Sequence, residues 1–252
     1  MQPDFPNSSP AEAAIEIQPA TPDREPFWGY VDLLLFLGIG VTLLVLFCLP
    51  MFFILKLHTP TGMVVLLLAS QAALYAAVYL GLKIVLNLRY GKPVFTSLGW
   101  RPSSFNRGFA AMGGVLLAFA VSAVASLLHT PKVELPIKQF TESLAGLLSI
   151  VILAVAIAPI FEELFFRGFL QPLLSRTFGT VLGILITAIL FGSLHLAEYS
   201  NVWQYGFAIT LVGIVFGYVR ARSQSIVPST IMHACFNSVS VIALIATKYK
   251  NP

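Results

Sequence analysis

Two neighbouring acids, Glu162 and Glu163, stand inside an apolar run that begins near Leu144, with Arg167 four residues beyond the second. A charged side chain at the bilayer centre costs about 2.5 to 3.5 kcal/mol on insertion scales, so such groups face a protein interior or a wet cavity and mark function. On a helix Glu163 and Arg167 share a face, while Glu162 is turned by about 100°. The two acids can therefore do different work: Arg167 pairs with Glu163, and Glu162 projects into a cavity. Pro159 lies upstream and cannot donate to the carbonyl of Val155, which opens the helix before the acids and offers a place for water. An inter-helix ion-pair lock is the alternative for this segment taken alone.

Two histidines widen the chemistry. His195 closes Phe191-Gly192-Ser193-Leu194-His195, and His233 opens His233-Ala234-Cys235-Phe236-Asn237, where His233 and Asn237 share a helix face. A single buried histidine is ordinarily a structural hydrogen-bonding residue. A carboxylate, two imidazoles and a carboxamide on separate apolar segments can instead meet and supply a base, a water-positioning group and oxyanion donors. Burying each of these groups separately would be costly, so the sequence predicts that Glu162, His195, His233 and Asn237 converge within the bilayer.

The elements that must position them are membrane helices. Hydrophobic residues make up 57% of the 252 residues, charged residues 10%, and mean hydropathy is +0.85. That balance exceeds what a water-soluble core needs and identifies a polytopic membrane protein. Segments long enough to cross run from about Phe27 to Leu55, Gly62 to Leu86, Gly108 to Leu128 and Leu144 to Leu174. Three more run from Thr180 to Leu196, Val202 to Val219 and Ile226 to Thr247. The fold class is thus all-α, a transmembrane bundle of about seven helices in one integral domain, residues 27–252. A break at Pro50 in the first segment and another before Pro159 in the fourth are both compatible with the pattern.

Residues 1–26 carry six prolines and the acids Asp4, Glu12, Glu16, Asp23 and Glu25 against one basic residue, Arg24. This reads as a disordered tail without the pattern of a signal peptide. The net charge of +4 and pI near 9.1 do not form a nucleic-acid-binding face, because the Lys and Arg residues are scattered through short loops. They serve orientation instead: Arg89, Lys92, Arg101 and Arg107 make the connection after Leu86 strongly basic and place it in the cytoplasm, with the Arg220 and Arg222 loop on the same side. Cys48 and Cys235 are far apart in apolar segments and predict no disulfide framework. Asp32 reads as interfacial, Lys83 as a snorkelling residue, and Glu198 as a loop acid that could orient the His195 ring. His58 and His129 receive no role. Gly213 and Gly217 form a Gly-x-x-x-Gly for close helix approach, with homodimerisation as the weaker alternative.

The ordered set Glu162-Glu163-x-x-x-Arg167, Phe191-x-x-x-His195 and His233-x-x-x-Asn237 resembles the CAAX-protease and bacteriocin-processing (CPBP, or Abi) family of intramembrane endopeptidases. The resemblance spans about Leu144 to Ser240; Pro159, Gly168 and Ser225-Ile226 extend it, and Ser97-Leu98-Gly99-Trp100-Arg101 adds a family-like loop. It implies hydrolysis of a peptide bond in a membrane-associated protein or peptide, lipidated or not, in the plasma membrane of a prokaryote. The family's prenyl-protein branch removes the residues after a lipidated cysteine. Carried over, Glu162 is the general base, His195 holds the attacking water, His233 and Asn237 donate to the oxyanion, and Glu163 with Arg167 support the geometry. No cofactor is favoured. Zinc held by Glu162, His195 and His233 is the alternative, since three N and O ligands with an open position fit a catalytic zinc site. An inert membrane scaffold and a proton-coupled transporter are the rival functions; the absence of visible repeat halves counts against transport.

Overall fold

The computed structural model describes residues 26–54, 60–133 and 144–250. Most of the N-terminal segment read as a tail, and His58, lie outside the described residues. Within them the chain is a helical bundle. The helices are α1 (Tyr30–Ile54), α2 (Pro60–Lys83), the short α3 (Val94–Ser97), α4 (Arg107–Leu127), α5 (Leu144–Val151), α6 (Ala158–Glu163), α7 (Gln171–Phe178), α8 (Thr180–Leu194), α9 (Trp203–Ser223) and α10 (Val227–Lys250). Six helical spans are long and apolar enough to cross a bilayer, and α8 is a shorter apolar helix beside them. This is the expected architecture of an integral, multi-pass membrane protein. Large apolar side chains such as Leu34, Val41, Leu46 and Phe119 point outward, as they must where the solvent is lipid.

α5, α6 and α7 are one continuous helical span of 35 residues, Leu144–Phe178. Neither of the breaks compatible with the sequence occurs: α1 runs through Pro50, and the long span runs through Pro159. The long span avoids rupture by widening. Ile152–Ile157 and Leu164–Leu170 are π-helical, and each stretch ends two residues before a proline, Pro159 and Pro172. A proline ring collides with the carbonyl four residues back in α geometry, and a wider turn relieves that collision. The acids of α6 therefore sit between two widened turns, a placement typical of functional sites.

Small residues bring the helices around this span together. A Cβ on Gly213 would come within 3.0 Å of Ala188 in α8, and one on Gly217 within 2.9 Å of Ile184, so the Gly-x-x-x-Gly of α9 does serve close approach. The bare backbone also exposes acceptors: the Gly213 carbonyl takes a bond from Arg167 Nη2 at 3.3 Å and the Gly217 carbonyl one from Gln171 Nε2 at 3.0 Å. α4 packs on α10, α7 on α8, and α1 on α2. Leu98 is fully buried and packs on Gly168. Gly99 has φ +87°, which disfavours a side chain, and its carbonyl accepts the Ile226 N–H at 2.9 Å. Ser225 Oγ donates to the Arg101 carbonyl at 2.6 Å. The Ser97-to-Arg101 loop thus clamps the start of α10, the helix that carries His233.

Asp32 is not merely interfacial. It is 2% exposed, pairs with Arg89 at 3.2 Å, and accepts from Tyr90 Oη at 2.7 Å and from the Gly29 N–H at 2.8 Å. It ties the start of α1 to the helical turns that follow α2.

Candidate active site

The two acids of α6 differ by environment as the face separation predicts. Glu163 and Arg167 are fully buried and paired at 2.9 Å across one helical turn. The guanidinium lies over the Phe191 ring at 4.4 Å and the Phe216 ring at 5.3 Å, so aromatic faces complete its solvation. Glu163 Oε1 also lies 3.3 Å from His233 Nδ1. A carboxylate accepts, so Nδ1 carries the proton of that contact and Nε2 is turned the other way.

That other way is Glu162. Its Oε2 lies 3.8 Å from His233 Nε2 and 4.0 Å from His195 Nε2, and it has no direct hydrogen-bond partner among the described residues. The Glu162 and His195 side chains keep 19% and 21% of their surface accessible, where Glu163 and Arg167 keep none. His195 closes α8, and its Nδ1 lies 2.7 Å from the Phe191 carbonyl. A carbonyl can only accept, which assigns the proton to Nδ1 and leaves the Nε2 lone pair toward Glu162.

Three of the four residues expected to converge therefore do so. The fourth, Asn237, is one turn beyond His233, and its Nδ2 donates to the Ala154 carbonyl at 2.7 Å. The reason is legible in the π turn. The Ala158 N–H is bonded to the Leu153 carbonyl, and Pro159, next in line, has no N–H. The Ala154 carbonyl is thus left without a donor from its own helix, and Asn237 fills the place. The acceptor engaged by the rest of the protein is Ala154, one residue before the Val155 carbonyl expected to be opened.

Tyr75 was not anticipated. It lies in α2, a segment without a chemical motif, yet it is 9% exposed, donates to Glu162 Oε1 at 3.4 Å and stacks on Phe161. An aromatic residue in an apolar helix carries no spacing signal that would single it out. Glu198, on the short turn after His195, is exposed at the surface. Its carboxyl nonetheless lies above the usual carboxylate range: neighbouring groups displace its water, His195 pulls it back, and the negative charge of Glu162 adds to the rise.

Among the described residues no group of three His, Cys, Asp or Glu side chains is set to hold a metal ion. Both imidazoles turn Nε2 toward a single carboxylate oxygen, at 3.8 and 4.0 Å.

The chain is 34% identical over 148 residues to the uncharacterized protein YyaK of Bacillus subtilis (strain 168), a stretch covering 56% of this chain and 47% of that relative. The chain thus spans about half the length of the curated relative it matches. No solved structure matches it. Residues 144–239 match the family described as type II CAAX prenyl endopeptidase Rce1-like, a stretch that holds both acids, both histidines and Asn237. Over these residues the chain is similar to the Rce1-like family of CAAX prenyl endopeptidases.

Proposed function

We propose that this domain is an intramembrane endopeptidase in which Glu162 activates water against a peptide bond of a membrane-associated substrate. The observation that carries the reading is the Glu162 Oε2 atom, buried without a direct partner among the described residues and faced by two imidazole nitrogens at 3.8 and 4.0 Å. These separations are too long for direct hydrogen bonds and suit one bridging water. Tyr75 restrains Oε1, which leaves Oε2 to take the proton. The hydroxide formed attacks the carbonyl carbon, while His195 Nε2 orients it. His233, when protonated at Nε2, donates to the oxyanion, with Glu163 balancing its charge. Collapse breaks the C–N bond, and Glu162 returns the proton to the leaving amine. Asn237 fastens α10 to the opened turn and so sets the position of His233 beside the acids.

No metal takes part in this scheme. A relative from Bacillus supports placement in a prokaryotic plasma membrane, and the family supports a protein substrate in the bilayer. The test is cleavage of matched lipidated and unlipidated transmembrane peptides by the purified full chain in nanodiscs, with elemental analysis of the same sample. Cleavage with zinc far below one per chain is expected. Stoichiometric zinc, lost with activity in His195→Ala, would replace this mechanism by a metal-dependent one.

A further inference from the structure

α2 lies outside the matched residues 144–239, yet it brings Tyr75 to Glu162, and it carries a second polar group beside that tyrosine. Leu68, Gln71, Tyr75 and Tyr79 fall on one face of the helix, within an arc of about 80° at about 100° per residue. That face runs along the widened span in register. Leu68 packs on the cluster of Ile150 and Val241, as do Ala154 and Val155. Tyr75 stacks on Phe161 and donates to Glu162 Oε1 at 3.4 Å, and Tyr79 meets the Phe161 ring edge-on. The residue numbers of both elements rise together, so the two run parallel. Gln71, four residues and about 6 Å before Tyr75, is thus level with the turn that precedes Pro159. It is half-buried, and its Oε1 is sealed from the surface without a hydrogen-bond partner among the described residues. An unmet acceptor inside a membrane span is costly, and Tyr75, the next polar residue on the same face, already gives its hydroxyl to Glu162.

A bound peptide has the converse need. A peptide bond within a helix is shielded by its own hydrogen bonds and turns, so cleavage beside Glu162 requires the substrate to be extended there. An extended chain in the bilayer carries N–H and C=O groups that lipid cannot satisfy. A carboxamide offers an acceptor and a donor side by side without charge, the complement of the N–H and C=O that one extended residue presents. Two residues of extended chain advance about 6.6 Å, close to the rise of about 6 Å from Gln71 to Tyr75. Resting on the hydrolase reading above, we propose that Gln71 pairs with the backbone of the substrate residue two places from the bond cleaved. Oε1 accepts its N–H and Nε2 donates to its carbonyl. The substrate class is then a membrane polypeptide held as an extended strand along α2, selected by its backbone at this position and not by a side chain.

The experiment measures kcat and KM of the purified full chain in nanodiscs on a transmembrane peptide, and on copies with a single backbone N-methyl group at successive positions around the cut. Gln71→Leu, apolar and of similar size, is expected to raise KM about tenfold through the lost pairing, with kcat changed less than twofold. In the parent, N-methylation two residues from the cut should raise KM by as much, and in Gln71→Leu it should add nothing. Should Gln71→Leu fail to fold, Gln71→Met with the same peptides reads the same coupling. An unchanged KM in the variant overturns the proposal, and so do N-methyl effects that multiply with the substitution instead of coinciding with it. A fall in kcat at unchanged KM overturns it as well, by making Gln71 a holder of water. A parent that cleaves none of the peptides overturns the hydrolase reading and this proposal with it, whereas a parent that cleaves them at the same KM as Gln71→Leu overturns the role of Gln71 alone.

Discussion

Glu162 and Glu163 are adjacent in sequence yet occupy different worlds. Glu163 is sealed with Arg167 among aromatic rings and holds His233 by one nitrogen, whereas Glu162 stays partly accessible and faces two imidazoles across water-sized gaps. One residue of rotation on a helix separates a fully buried, ion-paired carboxylate from a partly accessible one. The dry half fixes the ring that the open half uses. A buried pair of this kind adds little net stability over an apolar core, but breaking it is expensive, so its value is positional.

The comparison can be broken most sharply on the open side. Glu162→Ala should lower peptide cleavage by about 10²–10⁴-fold, the range for loss of a general base, with unfolding little changed. Cleavage by peptide mass spectrometry and unfolding by circular dichroism on one sample read both halves of that statement. Arg167→Ala attacks the dry side and strands Glu163, at a cost of about 3–5 kcal/mol, so yield and thermal stability should both fall, and activity with them. If Arg167→Ala stays folded and Glu162→Ala does not, the two roles are reversed.

A smaller effect tests the link between the halves. Asn237→Ala leaves the Ala154 carbonyl unsatisfied and should cost about 1–3 kcal/mol, together with reduced turnover as His233 shifts. Pro159→Ala restores a backbone donor at the same place, so the double variant should recover most of that stability but not the turnover. Additive losses in unfolding measurements would refute the Ala154 account.

Glu198 gives the smallest effect. Its carboxyl pKa is raised in the folded chain, so the folded state holds the proton more tightly than the unfolded one. Its favourable contribution is present below the unfolded pKa and is lost as pH rises through the folded one. Glu198→Gln should therefore match the parent in acid and exceed it slightly at neutral pH, read from unfolding temperatures across pH 4 to 8 in one detergent.

The seven apolar segments, the acid pair and the two histidines were legible because charge inside a membrane segment is expensive and spacing on a helix fixes a face. The π turns were not, since hydrogen-bond register leaves no mark in hydropathy; Pro159 suggested a break where the chain instead widens. That widening moved the open carbonyl to Ala154 and drew Asn237 to it. Tyr75 and the Asp32–Arg89 pair depend on which helices become neighbours, which no local pattern states.

In the proposed mechanism Glu162 is the group that activates water. The direct measurement is cleavage of a transmembrane peptide by the full chain in ¹⁸O-labelled water, comparing the parent with Glu162→Gln at equal folded concentration. The parent should place one ¹⁸O in the new carboxyl terminus of the released fragment, and Glu162→Gln should release almost none. Labelled product at the parental rate from Glu162→Gln would contradict the assignment of the open half.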